Sequence, residues 1–178
     1  MYAPSADTFL LADSIANFRG KYALEIGIGP GYLTRILCNN YKFVFGTDID
    51  FLSVLHSKYF LKKFTNKFLI CCDICEPIKF VFDIIVCNPP YLPLDDKDVQ
   101  DYAIYGGITG VETILRIIKL YNTNLKDTGK IIFVKSSLSD NDKIDHFIKN
   151  SLLKMRTLAI KKFFFETLEV CEITKSIL

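Results

Sequence analysis

The sequence predicts a single α/β domain whose centre is a mainly parallel β-sheet. Short runs of β-branched or aromatic residues alternate with amphipathic stretches, a pattern typical of βαβ units. The 178 residues suffice for one domain with a full hydrophobic core, and 50% of them are apolar. No repeat, low-complexity tract or linker-like stretch divides the chain. We therefore expect residues 1–178 to form one domain.

The individual elements follow from the hydrophobic periodicity. Strands are predicted at residues 22–26, 43–47, 68–72, 82–87, 131–134, 153–160 and 167–173, which makes a seven-stranded sheet. Helices are predicted at residues 32–37, 51–60, 111–120 and 140–149. The last two strands are expected to form an antiparallel pair at one edge. Residues 92–110 show no periodicity, and we interpret them as a long functional loop.

Composition and charge exclude several classes of protein. The formal net charge of +2 predicts no strong field for nucleic acid. The first residues lack the basic start and apolar stretch of a signal peptide, and the apolar runs are too short to span a bilayer. We expect a cytoplasmic protein without a membrane partner.

The six cysteines are interpreted as reduced thiols. Cys38, Cys71, Cys87 and Cys171 lie in or beside apolar segments, where cysteine usually acts as a small buried hydrophobe. Cys72 and Cys75 have the spacing of a zinc half-site, but no second pair accompanies them. No metal site is therefore predicted.

A glycine turn follows the first predicted strand and precedes a helix. Gly27, Gly29 and Gly31 allow positive φ and close approach of a ligand, and the helix start offers free N–H groups. Tyr32 occupies the position where dinucleotide-binding enzymes have a close-packing glycine. The turn therefore favours a nucleotide cofactor other than a dinucleotide.

Acidic residues lie at the ends of three successive predicted strands. Glu25 is unsuited to a pyrophosphate but suits the cationic sulfonium and ammonium groups of S-adenosylmethionine. Asp48, roughly twenty residues on, is placed to bind ribose hydroxyls, although neighbouring Asp50 could take that role. Asp73 could accept from the adenine amino group while Ile74 packs on the ring. Any one acid alone could be an ordinary solvated residue, but three at one rim favour a cofactor site.

The segment Asn88-Pro89-Pro90-Tyr91 follows the fourth predicted strand and should lie at the same rim. The Asn88 side-chain oxygen and the Pro89 carbonyl can accept the N–H groups of a planar nitrogen and free its lone pair from conjugation. The two prolines preorganise these acceptors, and Tyr91 offers an aromatic wall. The same residues are common turn formers, but here they favour catalysis by positioning and electrostatics.

These motifs resemble those of known methyltransferases. Segment 88–91 and the run from Glu25 to Gly31 resemble class I amino-methyltransferases, which have a Rossmann-like fold. The run Tyr2-x-Pro4-Ser5-x-Asp7-Thr8-Phe9-Leu10-Leu11 is similar to the N-terminal signature of HemK-like glutamine methyltransferases, specifically the short eukaryotic and archaeal branch. Gly106-Gly107-x-x-Gly110 also resembles that branch. The similarity covers nearly the whole chain and is looser after Lys135.

The resemblance implies N5-methylation of the glutamine in the Gly-Gly-Gln motif of a class I translation release factor, with S-adenosylmethionine as methyl donor. It implies that Asn88, with Pro89, Pro90 and Tyr91, holds the glutamine amide. The resemblance also implies cofactor contacts by Thr8, Glu25, Gly27, Asp48, Asp73 and Ile74. We expect three further cofactor contacts, by Gly29 and Gly31 of the glycine turn and by Asn88.

The resemblance further implies a small zinc-binding activator subunit that pairs along a sheet edge. The apolar strand at 68–72 is a candidate edge, although a helix or loop of the same domain could cover it equally well. The cluster Phe163-Phe164-Phe165 could face a partner, but we favour a place in the core.

Two other functions remain open from the sequence. A DNA or RNA adenine N6-methyltransferase could use the same loop, but it would need base extrusion and a basic groove. A cofactor-binding scaffold without catalysis is the non-enzymatic alternative, which the intact loop and acids disfavour.

Overall fold

The computed structural model describes residues 2–94 and 104–176. The helices are α1 (Ala6–Ile15), α2 (Tyr32–Asn40), α3 (Phe51–Phe60), α4 (Glu112–Ile118) and α5 (Asp142–Lys149). The strands are β1 (Gly20–Ile26), β2 (Tyr41–Asp48), β3 (Lys67–Cys71), β4 (Phe82–Cys87), β5 (Leu125–Ser136), β6 (Leu153–Lys162) and β7 (Thr167–Lys175). A short 3-10 helix, Lys119–Asn122, extends α4.

The strands form one seven-stranded sheet in the order β3-β2-β1-β4-β5-β7-β6. Strands β1 to β5 pair in parallel, whereas β7 runs antiparallel between β5 and β6. The predicted fold class is thereby confirmed. The strand order reverses between β1 and β4, and in such sheets ligands bind beyond the carboxyl ends of the strands at this switch point.

Helices cover both faces of the sheet and bury its centre. On one face α1 and α2 contribute Leu11, Ile15 and Leu37 to a buried cluster. On the other face α4 and α5 contribute Ile117 and Ile144. Burial on both faces explains why β4 is a nearly continuous apolar run.

Helix α1 is the main element that the periodicity did not indicate. It buries Leu11, Ala12 and Ile15 against the sheet layer, and Ser5 precedes its first residue. In the predicted loop 92–110, Leu92 forms an isolated β-bridge with Tyr105. Residues 95–103 of that loop lie outside the described part of the chain.

Two predictions about burial are wrong. Cys38, Cys87 and Cys171 are buried as expected, but Cys71 is exposed because β3 is an edge strand. Residues 163–165 are exposed rather than in the core, because they form the turn between β6 and β7.

Among the described residues, no helix is long and apolar enough to cross a membrane. Within the same residues, no cluster of three or more His, Cys, Asp or Glu side chains could hold a metal ion.

Candidate active site

The glycine turn connects β1 to α2 at the switch point of the sheet. Gly27, Gly29 and Gly31 have φ values of +74°, +48° and +85°, which residues with a Cβ rarely adopt. A Cβ built on Gly27 would meet nothing within 4 Å, so the backbone there borders open space. The Ser57 hydroxyl on α3 donates to the Gly29 carbonyl at 2.7 Å. Ser57 therefore supports the turn, and no sequence motif indicated this role.

Glu25 is a buried carboxyl group whose side-chain partner is a hydroxyl. The Thr34 hydroxyl donates to its side chain, and burial raises its pKa to about 8. The other buried glutamate, Glu172, has the opposite environment, with Lys130 Nζ at 3.0 Å and Arg156 Nε at 2.6 Å. Burial opposes the charge of Glu172, but these two cations outweigh it and lower its pKa. Among the described residues, Glu25 forms no ion pair, an arrangement suited to a cationic ligand.

Asp48 and Asp50 form different hydrogen bonds in the structure. Asp48 accepts a hydrogen bond from the Gly29 N–H at 2.9 Å and so lies against the glycine turn. Asp50 caps α3 by accepting from the N–H groups of Leu52 and Ser53 at 3.1 Å each. Hydrogen bonding, first of all from the Ser53 side chain, lowers the Asp50 pKa. Because Asp50 is engaged by the helix, the geometry favours Asp48 for the predicted ribose contact.

Asp73 and Ile74 follow β3 at the same rim. Ile74 has a φ of +50°, which is uncommon outside glycine, and its carbonyl accepts from the Thr47 hydroxyl on β2. Asp73 forms an ion pair with Arg116 of α4 at 2.7 Å. No sequence motif indicated Arg116, which would share Asp73 with any bound adenine.

Asn88 begins the loop after β4 and lies next to the glycine turn, because Cys87 pairs with Ile26. Its side-chain amide donates to the Thr8 hydroxyl at 3.3 Å. Its Oδ1 atom is buried and has no hydrogen-bond partner among the described residues. A buried unpaired acceptor is costly, so this atom marks a place for an N–H donor from a ligand.

Asp7 joins α1 to the loop 88–91, a role that the sequence did not reveal although Asp7 belongs to the N-terminal signature. Its carboxylate accepts from Tyr2 at 2.8 Å, from the Thr8 N–H at 2.6 Å and from the Tyr91 hydroxyl at 3.2 Å. Burial opposes its charge, but hydrogen bonds from Asn88, Tyr2 and Thr8 outweigh burial and lower the pKa of Asp7. Burial, and secondly the Asp7 charge, raise the pKa of Tyr91.

Two glycines hold segment 88–91 from the opposite side. A Cβ on Gly106 would lie 2.3 Å from the Pro90 carbonyl oxygen, and one on Gly110 would lie 2.3 Å from that of Tyr91. The Ser139 hydroxyl donates to the Tyr91 carbonyl at 2.6 Å. The loop is therefore fixed between α1 and the backbone of residues 106–110, and such rigidity suits catalysis by positioning.

The sheet order, the glycine turn at the switch point and the polar loop after β4 together define a class I methyltransferase fold. The chain belongs to the Methyltransferase small domain family, whose sequence profile matches residues 5–165.

Individual relatives agree with this assignment. A protein of Methanocaldococcus jannaschii, named as a candidate protein N5-glutamine methyltransferase, is 32% identical over 177 residues, or 96% of this chain and 89% of that one. The release factor glutamine methyltransferase of Fusobacterium nucleatum is 28% identical over 73% of this chain, which spans only 42% of that protein. The E. cuniculi Mtq2 in the Mtq2–Trm112 complex, which methylates the termination factor eRF1, has a TM-score of 0.76 at 24% identity, with 98% of both chains covered.

Proposed function

We propose that this protein transfers a methyl group from S-adenosylmethionine to the side-chain nitrogen of a glutamine in a class I translation release factor. The observation that carries the proposal is the buried, unpaired Asn88 Oδ1 beside the glycine turn. The names of the Methanocaldococcus and Fusobacterium relatives support glutamine as the methylated residue.

The cofactor fits the residues at the rim. S-adenosylmethionine, when bound, supplies a methyl group activated by a sulfonium cation. Glu25 offers a buried acidic group to the cationic end, and the open space at Gly27 admits the ligand against the backbone. Asp48 would bind the ribose, while Asp73 and Ile74 would contact the adenine. Thr8, bonded to Asn88, would border the methionine part.

The residues of this chain would promote the reaction by positioning the glutamine amide. Asn88 Oδ1 and the Pro89 carbonyl would accept the two N–H groups of the glutamine amide and draw its lone pair out of conjugation. Tyr91, held by Asp7, would pack against the planar amide. The proline residues and the glycine contacts keep these groups in place before the substrate arrives, which lowers the entropy lost on binding.

The direct test is incubation of the protein with labelled S-adenosylmethionine, release factor and the activator subunit, followed by mass spectrometry of the modified residue. We expect one methyl group on the glutamine of the Gly-Gly-Gln motif. A release factor in which that glutamine is replaced by alanine is the control. Label on DNA or RNA, or on no substrate, would overturn the proposal.

The Asp48→Ala variant is expected to weaken cofactor binding by about tenfold to a hundredfold, since hydrogen bonds to a charged group contribute about 1.5–3 kcal/mol. The measurement is the cofactor Kd by titration calorimetry. Asp50→Ala is the matched control: it removes the cap of α3 and should lower Tm with little effect on Kd. If Kd rises more for Asp50→Ala than for Asp48→Ala, Asp50 and not Asp48 makes the ribose contact.

The proposed partner is a small activator subunit that pairs with the β3 edge. The opposite edge, β6, is protected by the basic residues Lys154, Arg156, Lys161 and Lys162 and by a register shift against β7. Strand β3 has only Lys67, whose ammonium donates back to the Phe64 carbonyl at 2.6 Å. The apolar β3 edge therefore lacks the features that usually prevent strand pairing.

Exposed apolar side chains surround this edge. They lie on β3, on α3 and in the connection before α3, and they are Ile49, Phe51, Leu52, Leu55, Tyr59, Phe60 and Phe68. Phe68 also stacks on Phe45, with ring centroids 5.0 Å apart. Contiguous exposed apolar residues beside an open strand mark an interface, which supports the predicted edge over a strand covered by the domain itself.

Hydrogen exchange can test this partner site, because one experiment reports the protection of both sheet edges, β3 and β6. On addition of the activator, we expect the amides of Lys67–Cys71 to gain protection because the partner strand bonds to them. The amides of Leu153–Lys162 form the internal control and should not change. Protection of β6 instead, or of neither edge, would contradict the assignment.

A further inference from the structure

The turn between β6 and β7 exposes a second group of apolar residues. Phe164 and Phe165 are 92% and 83% exposed, and their rings meet edge to face with centroids 4.5 Å apart. Aromatic side chains this exposed are characteristic of interaction surfaces. The backbone around them is ordered by a hairpin bond from the Phe163 N–H to the Glu166 carbonyl at 2.7 Å.

A chain of hydrogen bonds places this hairpin turn beside the catalytic loop. The Ser139 hydroxyl donates to the Tyr91 carbonyl at 2.6 Å. Three residues earlier, the Ser136 hydroxyl donates to the Glu166 carboxylate at 2.6 Å, and the Ser137 N–H donates to the Thr167 carbonyl at 2.9 Å. The charge of Glu166 also contributes, after burial and Asp7, to raising the pKa of Tyr91.

Other exposed apolar side chains continue the surface along the same rim. Leu138 lies within the turn that joins Ser136 to Ser139, and Ile108 lies in the glycine loop that contacts Pro90 and Tyr91. The Asp140 N–H donates to the Thr109 carbonyl at 3.0 Å and so ties these two loops together. We call this surface, formed by Ile108, Leu138, Phe163, Phe164 and Phe165, the rim patch.

Two exposed basic residues lie next to the rim patch, where the carboxylate of Glu166 is already engaged by the Ser136 hydroxyl. Lys161 and Lys162 are exposed at the end of β6, and neither forms an ion pair among the described residues. Lys161 Nζ lies 5.4 Å from the centre of the Phe163 ring. A partner surface that is apolar with acidic neighbours would match this combination.

We propose that the rim patch docks the protein substrate outside the reacting glutamine, through an apolar segment flanked by acidic residues. The inference rests on the proposed function. Because the rim patch lies beside Asn88 and Tyr91, the molecule that it binds would be the protein substrate. The glutamine side chain alone is small, so most of the affinity for an intact substrate protein must come from contacts such as these.

The test compares an intact release factor with a short synthetic Gly-Gly-Gln peptide, using the protein together with its activator. For the double variant Phe164→Ser/Phe165→Ser, we expect kcat/KM on the intact factor to fall about tenfold or more. On the peptide, kcat/KM should stay within about twofold because the catalytic groups are unchanged. Lys161→Glu/Lys162→Glu should also lower kcat/KM on the intact factor only.

Leu152→Ser is the matched control, since Leu152 is 62% exposed but lies at the other end of β6. It should leave both substrates unaffected. Equal losses on factor and peptide, or no loss on the factor, would overturn the inference. So would self-association in sedimentation velocity that the Phe variant abolishes, because the occupant would then be a second copy. No transfer by the unmodified protein would overturn the proposed function and this inference with it.

Discussion

Replacement of Asn88 by alanine is expected to reduce methyl transfer by about a hundredfold to a thousandfold, the effect typical of losing one preorganised polar group in an active site. The reason is that Asn88 Oδ1 is a buried acceptor without a partner in the described residues. Its hydrogen bond to the substrate amide matters most as the nitrogen loses conjugation. The measurement is single-turnover transfer to the release factor at saturating cofactor.

The same variant should change the cofactor Kd by only a few-fold, and its Tm should fall modestly. Removing a buried acceptor that is unpaired in the free protein removes a cost, which partly offsets the loss of the hydrogen bond to Asp7 and of a weak one to Thr8 at 3.3 Å. An equal loss of cofactor affinity and rate would show that Asn88 binds the cofactor rather than the substrate amide.

Asn66→Ala provides the contrast to Asn88→Ala. The Asn66 amide donates to the carbonyls of Cys38 and Tyr41 at 2.9 Å each, at the end of β2 remote from the site. Its removal should lower Tm because two backbone acceptors lose their donor. Transfer by the folded Asn66→Ala protein should be unchanged, so the pair separates a functional from a structural asparagine.

Cofactor binding is expected to strengthen as the pH rises from 6 to about 8 and to level off above that. Burial raises the pKa of Glu25 to about 8, so the free protein holds this carboxyl mostly protonated at neutral pH. A cationic ligand favours the ionised form and therefore lowers that pKa on binding. Below pH 8 binding releases a proton, and Kd can fall by up to about tenfold per pH unit.

The two thiols near Glu25 do not titrate in this window. Burial raises the pKa of Cys38 to about 12 and raises that of Cys87 well above its ordinary value, so both thiols stay neutral. The charge of Asp48 contributes to raising the Glu25 pKa. Calorimetry in buffers of different ionisation enthalpy counts the released protons directly, independently of any transfer.

Glu25→Gln should abolish the proton release and lose most of the affinity at pH 9, because the amide carries no charge at any pH. Glu172→Gln is the matched control, since the Glu172 side chain is also almost inaccessible to solvent but is already paired with Lys130 and Arg156. It should lower Tm because the ion pairs with Lys130 and Arg156 are lost, and it should leave the pH dependence of Kd intact. If proton release on cofactor binding persists in the Glu25→Gln variant, a group other than Glu25 releases the proton.

The fold could be predicted from the sequence because its signals are local. The apolar runs predicted all seven strands, with the last two as an antiparallel pair at one edge. The glycine spacing predicted the turn after β1. The sequence did not indicate helix α1 because its buried face mixes polar Asp7 and Thr8 with apolar residues, while Phe9 is exposed, so no clean apolar stripe recurs at helical spacing.

The supporting residues of the site could not be predicted, because they come from distant parts of the chain. Thr8 meets Asn88 across 80 positions, and Tyr91 meets Asp7 across 84. Ser57 and Arg116 reach the site from α3 and α4. Serine and arginine on a helix carry no signature that separates such roles from ordinary surface positions.

By itself the sequence determined the order of the strands along the chain, the glycine turn after β1 and the proline-containing loop after β4, since each depends on the backbone preferences of neighbouring residues such as Gly27 and Pro89. Only the tertiary structure decided which groups lack partners. Whether Glu25 meets a cation, whether Asn88 Oδ1 is paired and whether Phe164 is covered all depend on packing between elements far apart in the chain. Burial and pairing are collective properties of the fold, and they leave Asn88 Oδ1 in the loop 88–91 buried without a partner among the described residues.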